Sequence, residues 1–232
     1  MTAPTRFPNG VTNVGETNIF SLMKMSDPTQ YHTYFNDFHV YTAGDWVVTE
    51  TQAGATQALT AGDGGQLLLT NTSTENDWCL LQKTPAMFAI TAGKKTFFKI
   101  RFQANSATEC DWIAGLAIVD TTPLDATDGI FFSKDDGDTN IDFTCRKNAT
   151  TGAANATAIG TFAADTWTEL AWAYDGVSKV YYAINGVVLG SVSATSDYLP
   201  DATNLTVTFG IQAGTTAADT MTIDYVFAAE ER

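Results

Sequence analysis

The sequence predicts an all-β fold, a two-sheet antiparallel jelly-roll sandwich with an extended N-terminal arm, and three observations carry the sandwich. Over 166–174, Thr168, Leu170, Trp172 and Tyr174 fall on one side of a period-2 ribbon and Glu169, Ala171 and Ala173 on the other, as in a strand whose two faces meet different surroundings. Asp175-Gly176 ends that run, and Val180, Tyr182 and Ile184 repeat the alternation up to Asn185-Gly186, a dipeptide that accepts positive φ at both central positions of a type I′ hairpin turn. Similar runs recur along the chain between turn-forming clusters, and no long amphipathic helix is visible.

Residues 1–30 differ from the rest. Pro4, Pro8, Pro28 and Asn9-Gly10 interrupt any sustained alternation, so this stretch is predicted to be an extended N-terminal arm. Phe7, Ile19, Phe20, Leu22 and Met23 give it apolar side chains that favour a partner surface over water. Aromatic density rises at Tyr31, in Tyr-His-Thr-Tyr-Phe-Asn-Asp-Phe-His-Val-Tyr, and the sandwich is expected to span 31–232. Strands are predicted over 46–51, 66–70, 78–82, 96–103, 111–119, 129–133, 141–147, 156–161, 166–174, 179–184, 187–192, 205–212 and 221–228. Thr60-Ala61-Gly62-Asp63-Gly64-Gly65 and Lys134-Asp135-Asp136-Gly137-Asp138 punctuate them. The last run alternates well enough for a C-terminal strand in mid-sheet, where it would tie both halves of the chain together.

A chain of 232 residues suits one large β domain, and 44% hydrophobic with 12% aromatic residues is enough to fill the space between two sheets. Asp and Glu outnumber Lys and Arg by 26 to 12, a net charge of −14 that repels phosphate backbones. Neither nucleic acid nor a membrane is therefore expected as a partner. Cys79, Cys110 and Cys145 are odd in number, widely spaced and set in apolar or alternating stretches, so they read as free buried thiols, with no Cys-x-x-Cys zinc pattern. Met-Thr-Ala-Pro-Thr-Arg at the start has no basic region followed by a long apolar run, and synthesis in a cytoplasm without export is the expectation.

The hairpin within 167–192 resembles the late strands of the concanavalin A-like, or laminin G-like, superfamily, in which an aromatic strand ending in Tyr-Asp-Gly precedes one ending in Asn-Gly or Asp-Gly. That superfamily hosts lectins, glycosidases, lyases and virion parts, so the resemblance implies a fold and leaves function open. Its glucanases carry a Glu-x-Asp-x-x-Glu run on one strand face, which this chain lacks: Glu169 stands alone, Glu109 precedes Cys110-Asp111, and Glu230-Glu231 lie at the end. His32 and His39, seven residues apart, have no neighbouring Cys or Gly-x-Ser-x-Gly that would make a catalytic set. No catalytic residue is named, and the chain is expected not to be an enzyme. Asp135, Asp136 and Asp138 surround Gly137 and offer oxygens that calcium could use, with Asp120, Asp125 and Asp128 as further candidates. A solvated hairpin tip fits the same run and is preferred, so no cofactor is expected. Trp46, Trp78, Trp112, Trp167 and Trp172 could stack on sugars but are assigned mostly to the core.

Residues 6–13, 31–38 and 120–132 together resemble structural proteins of tailed phages of marine bacteria. That resemblance implies a non-enzymatic virion protein, assembled in the host bacterial cytoplasm, that decorates the head and contacts the major capsid protein or other virion proteins. On this reading Arg6, Phe7, Pro8, Asn9 and Phe20 attach the arm to the capsid, and closed symmetry, such as a trimer, would match a lattice. The alternative is a lectin-like, carbohydrate-binding adhesion module of the same particle, with a glycan as partner.

Overall fold

A computed structural model describes Ile19 and residues 28–232 of the chain. Its strands are β1 (Tyr31–Asn36), β2 (Trp46–Thr49), β3 (Thr56–Thr60), β4 (Gln66–Thr70), β5 (Trp78–Lys83), β6 (Thr96–Ala104), β7 (Cys110–Ala117), β8 (Gly129–Lys134), β9 (Asn140–Arg146), β10 (Asn155–Thr161), β11 (Thr168–Tyr174), β12 (Lys179–Ile184), β13 (Val187–Ser193), β14 (Thr206–Ala213) and β15 (Thr220–Glu231). An eight-stranded sheet runs β13-β12-β11-β6-β15-β4-β3, with β1 also on β15, and a seven-stranded sheet runs β10-β9-β8-β7-β14-β5-β2. Every pairing is antiparallel. The two-sheet sandwich that the alternation predicts is the fold observed.

The C-terminal strand does lie in mid-sheet. One edge of β15 pairs with β6, and the other is shared between β4, opposite Thr220 to Ile223, and β1, opposite Val226 to Glu231. Alternation then decides what fills the space between the sheets. Phe98, Ile100 and Phe102 of β6 and Leu170, Trp172 and Tyr174 of β11 meet Trp112 and Leu116 of β7, Phe132 of β8, Phe143 of β9 and Phe209 of β14 in one buried cluster. Phe98 stacks on Trp172 with ring centroids 6.0 Å apart, and Phe102 meets Trp112 edge-on at 5.1 Å. Each such fully buried side chain stabilises the fold by roughly 1.5–3 kcal/mol. The opposite face of each sheet carries a smaller apolar cluster: Tyr31, Phe97, Ala171, Ala173, Ala183 and Ala229 with Ile19 on the eight-stranded sheet, and Trp78, Leu80, Ile113, Ala117, Ala126 and Phe131 on the seven-stranded one.

At the β12–β13 turn Ile184 pairs with Val187, and Asn185 and Gly186 hold φ values of 50° and 78°, the left-handed pair that a type I′ turn needs. The Asn185 side-chain oxygen also accepts the Glu169 N–H at 2.9 Å, joining the turn to β11. Changing Asn185-Gly186 to Val-Val should cost roughly 2–6 kcal/mol through two strained φ values. Urea unfolding checks this, and an unmoved midpoint would show that the turn does not matter to stability.

Two strands went unpredicted. β1 carries aromatic groups on both faces, which hides the polar alternation, and β3, Thr-Gln-Ala-Leu-Thr, is an exposed edge with almost no apolar contrast. The final strand extends beyond 228 through Glu230 and Glu231, whose carboxylates accept the Ala89 and Lys95 N–H groups at 3.0 and 3.1 Å. Cys79, Cys110 and Cys145 are buried free thiols; burial pushes Cys79 up to about 11 and the other two up to about 12, which keeps them protonated. Of the predicted arm, only Ile19 and a short turn at Pro28–Gln30 are described, and Arg6, Phe7, Pro8, Asn9 and Phe20 lie outside the described residues.

Candidate functional site

The outer face of the seven-stranded sheet is where polar groups gather over a hydrophobic floor. Register sets the arrangement. Gln212 of β14 lies opposite Asp111 of β7, Ser133 of β8 lies opposite both Ile113 of β7 and Asp142 of β9, and Thr144 lies opposite Phe131 and Asn155. These positions share the outward parity of their strands, so side chains remote in sequence line one cleft of about 530 Å³, with Asn76, Leu124, Asp125, Asp135, Asp136, Thr151 and Arg146 around it. A shallower recess of about 420 Å³ adjoins it at Asn76 and Gln212 and runs on past Trp78, Glu50 and Thr122.

Gly115 shapes the floor. A Cβ at that position would stand 2.4 Å from both the Ile130 carbonyl oxygen and the Phe131 Cβ, so only glycine lets Phe131 settle across β7. The Arg146 guanidinium lies 5.6 Å from the Phe131 ring centroid, and its Nη1 donates to the carbonyls of Leu124 and Ala126 at 3.1 Å each.

Asp111 is the most perturbed acid of the cleft. Burial, opposed by a 2.7 Å hydrogen bond from the Asp136 N–H to its Oδ1 and reinforced by the negative charges of Asp136 and Asp135, pushes its carboxyl up to about 6. Burial also raises Asp135, helped by Asp142 and Asp138. Asp142 accepts the Ala158 N–H at 2.7 Å. Beneath them Lys134 is 1% exposed and donates to the carbonyls of Cys110 and Asp135 at 2.6 and 2.9 Å.

The structure divides the Asp135-Asp136-Gly137-Asp138 run. Asp135 and Asp136 line the cleft beside Asp125, whereas the Asp138 carboxylate turns to the backbone and side-chain N–H groups of Asn140, at 2.7 and 3.0 Å. Asp120 accepts from the N–H and hydroxyl of Thr122, and Asp128 accepts from Thr127 and Asn148. Among the described residues, no three His, Cys, Asp or Glu side chains converge as a metal-binding group. His32 packs against Phe88 at 5.2 Å and its pKa is lowered by burial and by Arg232; His39 is exposed beside Asp37 at 3.2 Å. Neither lines the cleft.

Four of the tryptophans are buried as assigned, while Trp167 is half-buried beneath the Arg101 guanidinium at 4.6 Å. Glu169 is not alone in space: it bonds Lys99 at 2.7 Å and accepts the Tyr225 hydroxyl at 2.5 Å, all three on the eight-stranded sheet. Sequence reasoning missed Asp111, Asp142, Arg146 and Gln212. The available signal was the set of outward polar residues in Ile141-Asp142-Phe143-Thr144-Cys145-Arg146, where every second residue is buried and apolar.

No family model and no curated protein matches the chain. Solved structures do share its fold. An endo-1,3-β-glucanase from Streptomyces sioyaensis matches with a TM-score of 0.62 at 14% identity, covering 89% of this chain and 98% of its own. Arcelin-5, a lectin-like defense protein from Phaseolus vulgaris, matches with a TM-score of 0.58 at 11% identity, over 88% and 100%. An endo-β-1,4-glucuronan lyase from the fungus Trichoderma reesei matches with a TM-score of 0.55 at 12% identity, over 86% and 95%. The fold is thus the concanavalin A-like jelly roll of lectins and glucanases, while a virion or capsid role gains no support from these likenesses. They also correct the expectation that the chain is not an enzyme. A glucanase and a lyase occupy the same fold almost end to end, so the missing Glu-x-Asp-x-x-Glu run does not exclude catalysis by carboxylates supplied from several strands.

Proposed function

We propose that this chain binds a polysaccharide across the outer face of its seven-stranded sheet. The observation that carries the reading is the cleft of about 530 Å³, in which carboxylates, amides, hydroxyls and one guanidinium surround the apolar Phe131 and Leu124. A sugar ring offers hydroxyl groups at its rim that a cleft of directed carboxylates, amides and hydroxyls can bind, and the half-buried Leu124 adds apolar surface for its C–H groups. Likeness in fold to a glucanase and a lectin-like protein supports the same reading.

Ser133 stands on the outward face among these groups, which makes it the place to block the cleft. Ser133→Trp should weaken binding of an oligosaccharide found on a glycan array by about tenfold or more, as read by calorimetry, with the unfolding midpoint unchanged. Undiminished affinity in a folded variant would overturn the assignment of the cleft.

One observation favours a second reading, cleavage of the bound glycan: Asp111 faces the cleft with a carboxyl held near 6, so it carries a proton at mildly acid pH. In a hydrolysis, Asp111 would give that proton to the departing glycosidic oxygen while a carboxylate elsewhere in the cleft, such as that of Asp142, took a proton from the water attacking the anomeric carbon. Release of new reducing ends, reduced about 100-fold or more in Asp111→Asn, is the expected result. Binding without new ends would remove the cleavage reading and leave the binding one.

A further inference from the structure

We propose that Lys134 is a positioning residue for Asp111: its buried ammonium holds the Asp135-Asp136 segment against the start of β7, and so keeps the Asp136 N–H on the Asp111 carboxylate. The inference rests on the cleavage reading above, in which Asp111 is the proton donor. Ladder pairing between β7 and β8 ends where Trp112 lies opposite Lys134. Beyond that pair, no β7–β8 register holds Cys110-Asp111 to Asp135-Asp136, and side chains make the connection instead. Lys134 shares the parity of Trp112, a residue of the core, so its side chain enters the space between the sheets. There it is 1% exposed and donates to the carbonyls of Cys110 and Asp135 at 2.6 and 2.9 Å. Asp111 has the opposite parity, and on the outer face its Oδ1 accepts the Asp136 N–H at 2.7 Å. The two attachments bracket the segment from both faces of the sheet, and the Gly137 N–H adds a bond to the Thr108 carbonyl at 2.7 Å.

Stability alone favours an apolar side chain at such a place, because an ammonium is costly to desolvate. What the charge supplies is a point on which carbonyls from two segments converge. Lys134 does not line the cleft, so it acts on a bound glycan only through Asp111. With Oδ1 taken by the Asp136 N–H, the proton of the neutral acid resides on Oδ2, and a donor fixed in this way needs no reorientation before it transfers that proton. The charged groups facing Asp111 are Lys134, Asp135 and Asp136 at the end of β8, Asp142 and Arg146 of β9, and Asp125 across the cleft. Burial holds the Asp111 carboxyl up, the Asp136 N–H bond pulls it down, the charges of Asp136 and Asp135 raise it, and the charge of Lys134 lowers it. Loss of Lys134 removes the last of these influences and loosens the hydrogen bond, so both changes move Asp111 upward.

NMR titration of the whole protein, following the Asp111 carboxyl carbon and the Asp136 amide together, tests this. In the parent both signals should move through one shared step at about pH 6. In Lys134→Met the carboxyl should titrate at higher pH and the amide should lose its step. Release of reducing ends should then fall about tenfold or more in kcat, with KM nearly unchanged and the optimum displaced to higher pH. Lys134→Arg, which restores the charge and the donors, should bring the shared step back. A Lys134→Met protein that is merely less stable, with Asp111 and Asp136 still titrating together as in the parent, would overturn the proposal. A parent whose Asp136 amide does not respond to Asp111 would overturn it as well, and that reading needs no variant to fold. No reducing ends from the parent would bring down the cleavage reading alone, because the two titrations read the positioning of Asp111 without turnover.

Discussion

Trp112→Ala is expected to destabilise the protein by about 3–5 kcal/mol, among the largest losses any single residue should give. Trp112 is fully buried at the centre of β7, its ring 5.1 Å from Phe102 and 5.4 Å from Phe162. Strand β7 is hydrogen-bonded on both sides, to β8 and to β14, and the opposing sheet is held by its own ladder. Neither layer can move in to fill the vacated space, so the cavity cost adds to the lost transfer energy. The Trp112 Nε1 has no acceptor, so the loss carries no hydrogen-bond component. Trp112→Phe, which keeps an aromatic ring and removes an unpaired donor, should therefore cost far less, under about 1.5 kcal/mol. Urea unfolding with an unchanged slope reads both. Similar costs for Ala and Phe would mean that the indole N–H, and not the packing of the ring, is what matters. The same strand presents Asp111 to the cleft from the adjacent position, so packing on one face of β7 positions a carboxylate on the other.

How much of this was legible in sequence differs between fold and site. The alternation of Thr168, Leu170, Trp172 and Tyr174 against Glu169, Ala171 and Ala173 is a local property of one strand, and the structure turns the first set into the core between the sheets. Asn185-Gly186 is equally local, since two residues determine the turn. The cleft is not local. Asp111, Asp142 and Gln212 come from three strands, and only the register of β7 against β14 and of β8 against β9 puts them on one surface. Their outward parity was readable, but their being neighbours was not. The Asp-Asp-Gly-Asp run shows the converse. Read as a hairpin tip before a calcium candidate, it is split by the turn at Gly137, which sends Asp138 to Asn140 and leaves Asp135 and Asp136 at the cleft. The missing Glu-x-Asp-x-x-Glu run misled for a related reason, because a motif on one strand is only one way to set carboxylates across a sheet whose neighbours stand about 5 Å apart.

Acidification from about pH 8 to about pH 5 should stabilise this protein, against the usual behaviour of carboxylate-rich chains. Asp111 and Asp219 are both buried, and burial holds each carboxyl at about 6, well above the ordinary 3.8. For Asp219 the negative charge of Glu109 adds to burial, and its Oδ2 has no hydrogen-bond partner, an arrangement that suits the protonated acid. Between about pH 4 and 6 the folded protein therefore binds more protons than the unfolded chain. Stability falls as pH rises through that window, is flat above it, and the contribution is complete below the unfolded value. At about pH 5 each group contributes on the order of 1 kcal/mol relative to pH 8, and the two together a few kcal/mol. Asp77 and Asp138, whose pKa values are lowered, act in the opposite sense only below the ordinary carboxylate range, while His32, lowered by burial and by Arg232, opposes the two acids below its ordinary 6.5 and reduces the net gain. Urea midpoints measured across this interval check the sign. The double variant Asp111→Asn with Asp219→Asn should be more stable than the parent at pH 8 and should lose most of the slope, because an amide in either position has no charge to hold buried among other acids. A parent protein that loses stability steadily on acidification from pH 8 to 5 would show that these two acids are ionised in the folded state, and would remove Asp111 as a proton donor in the cleft.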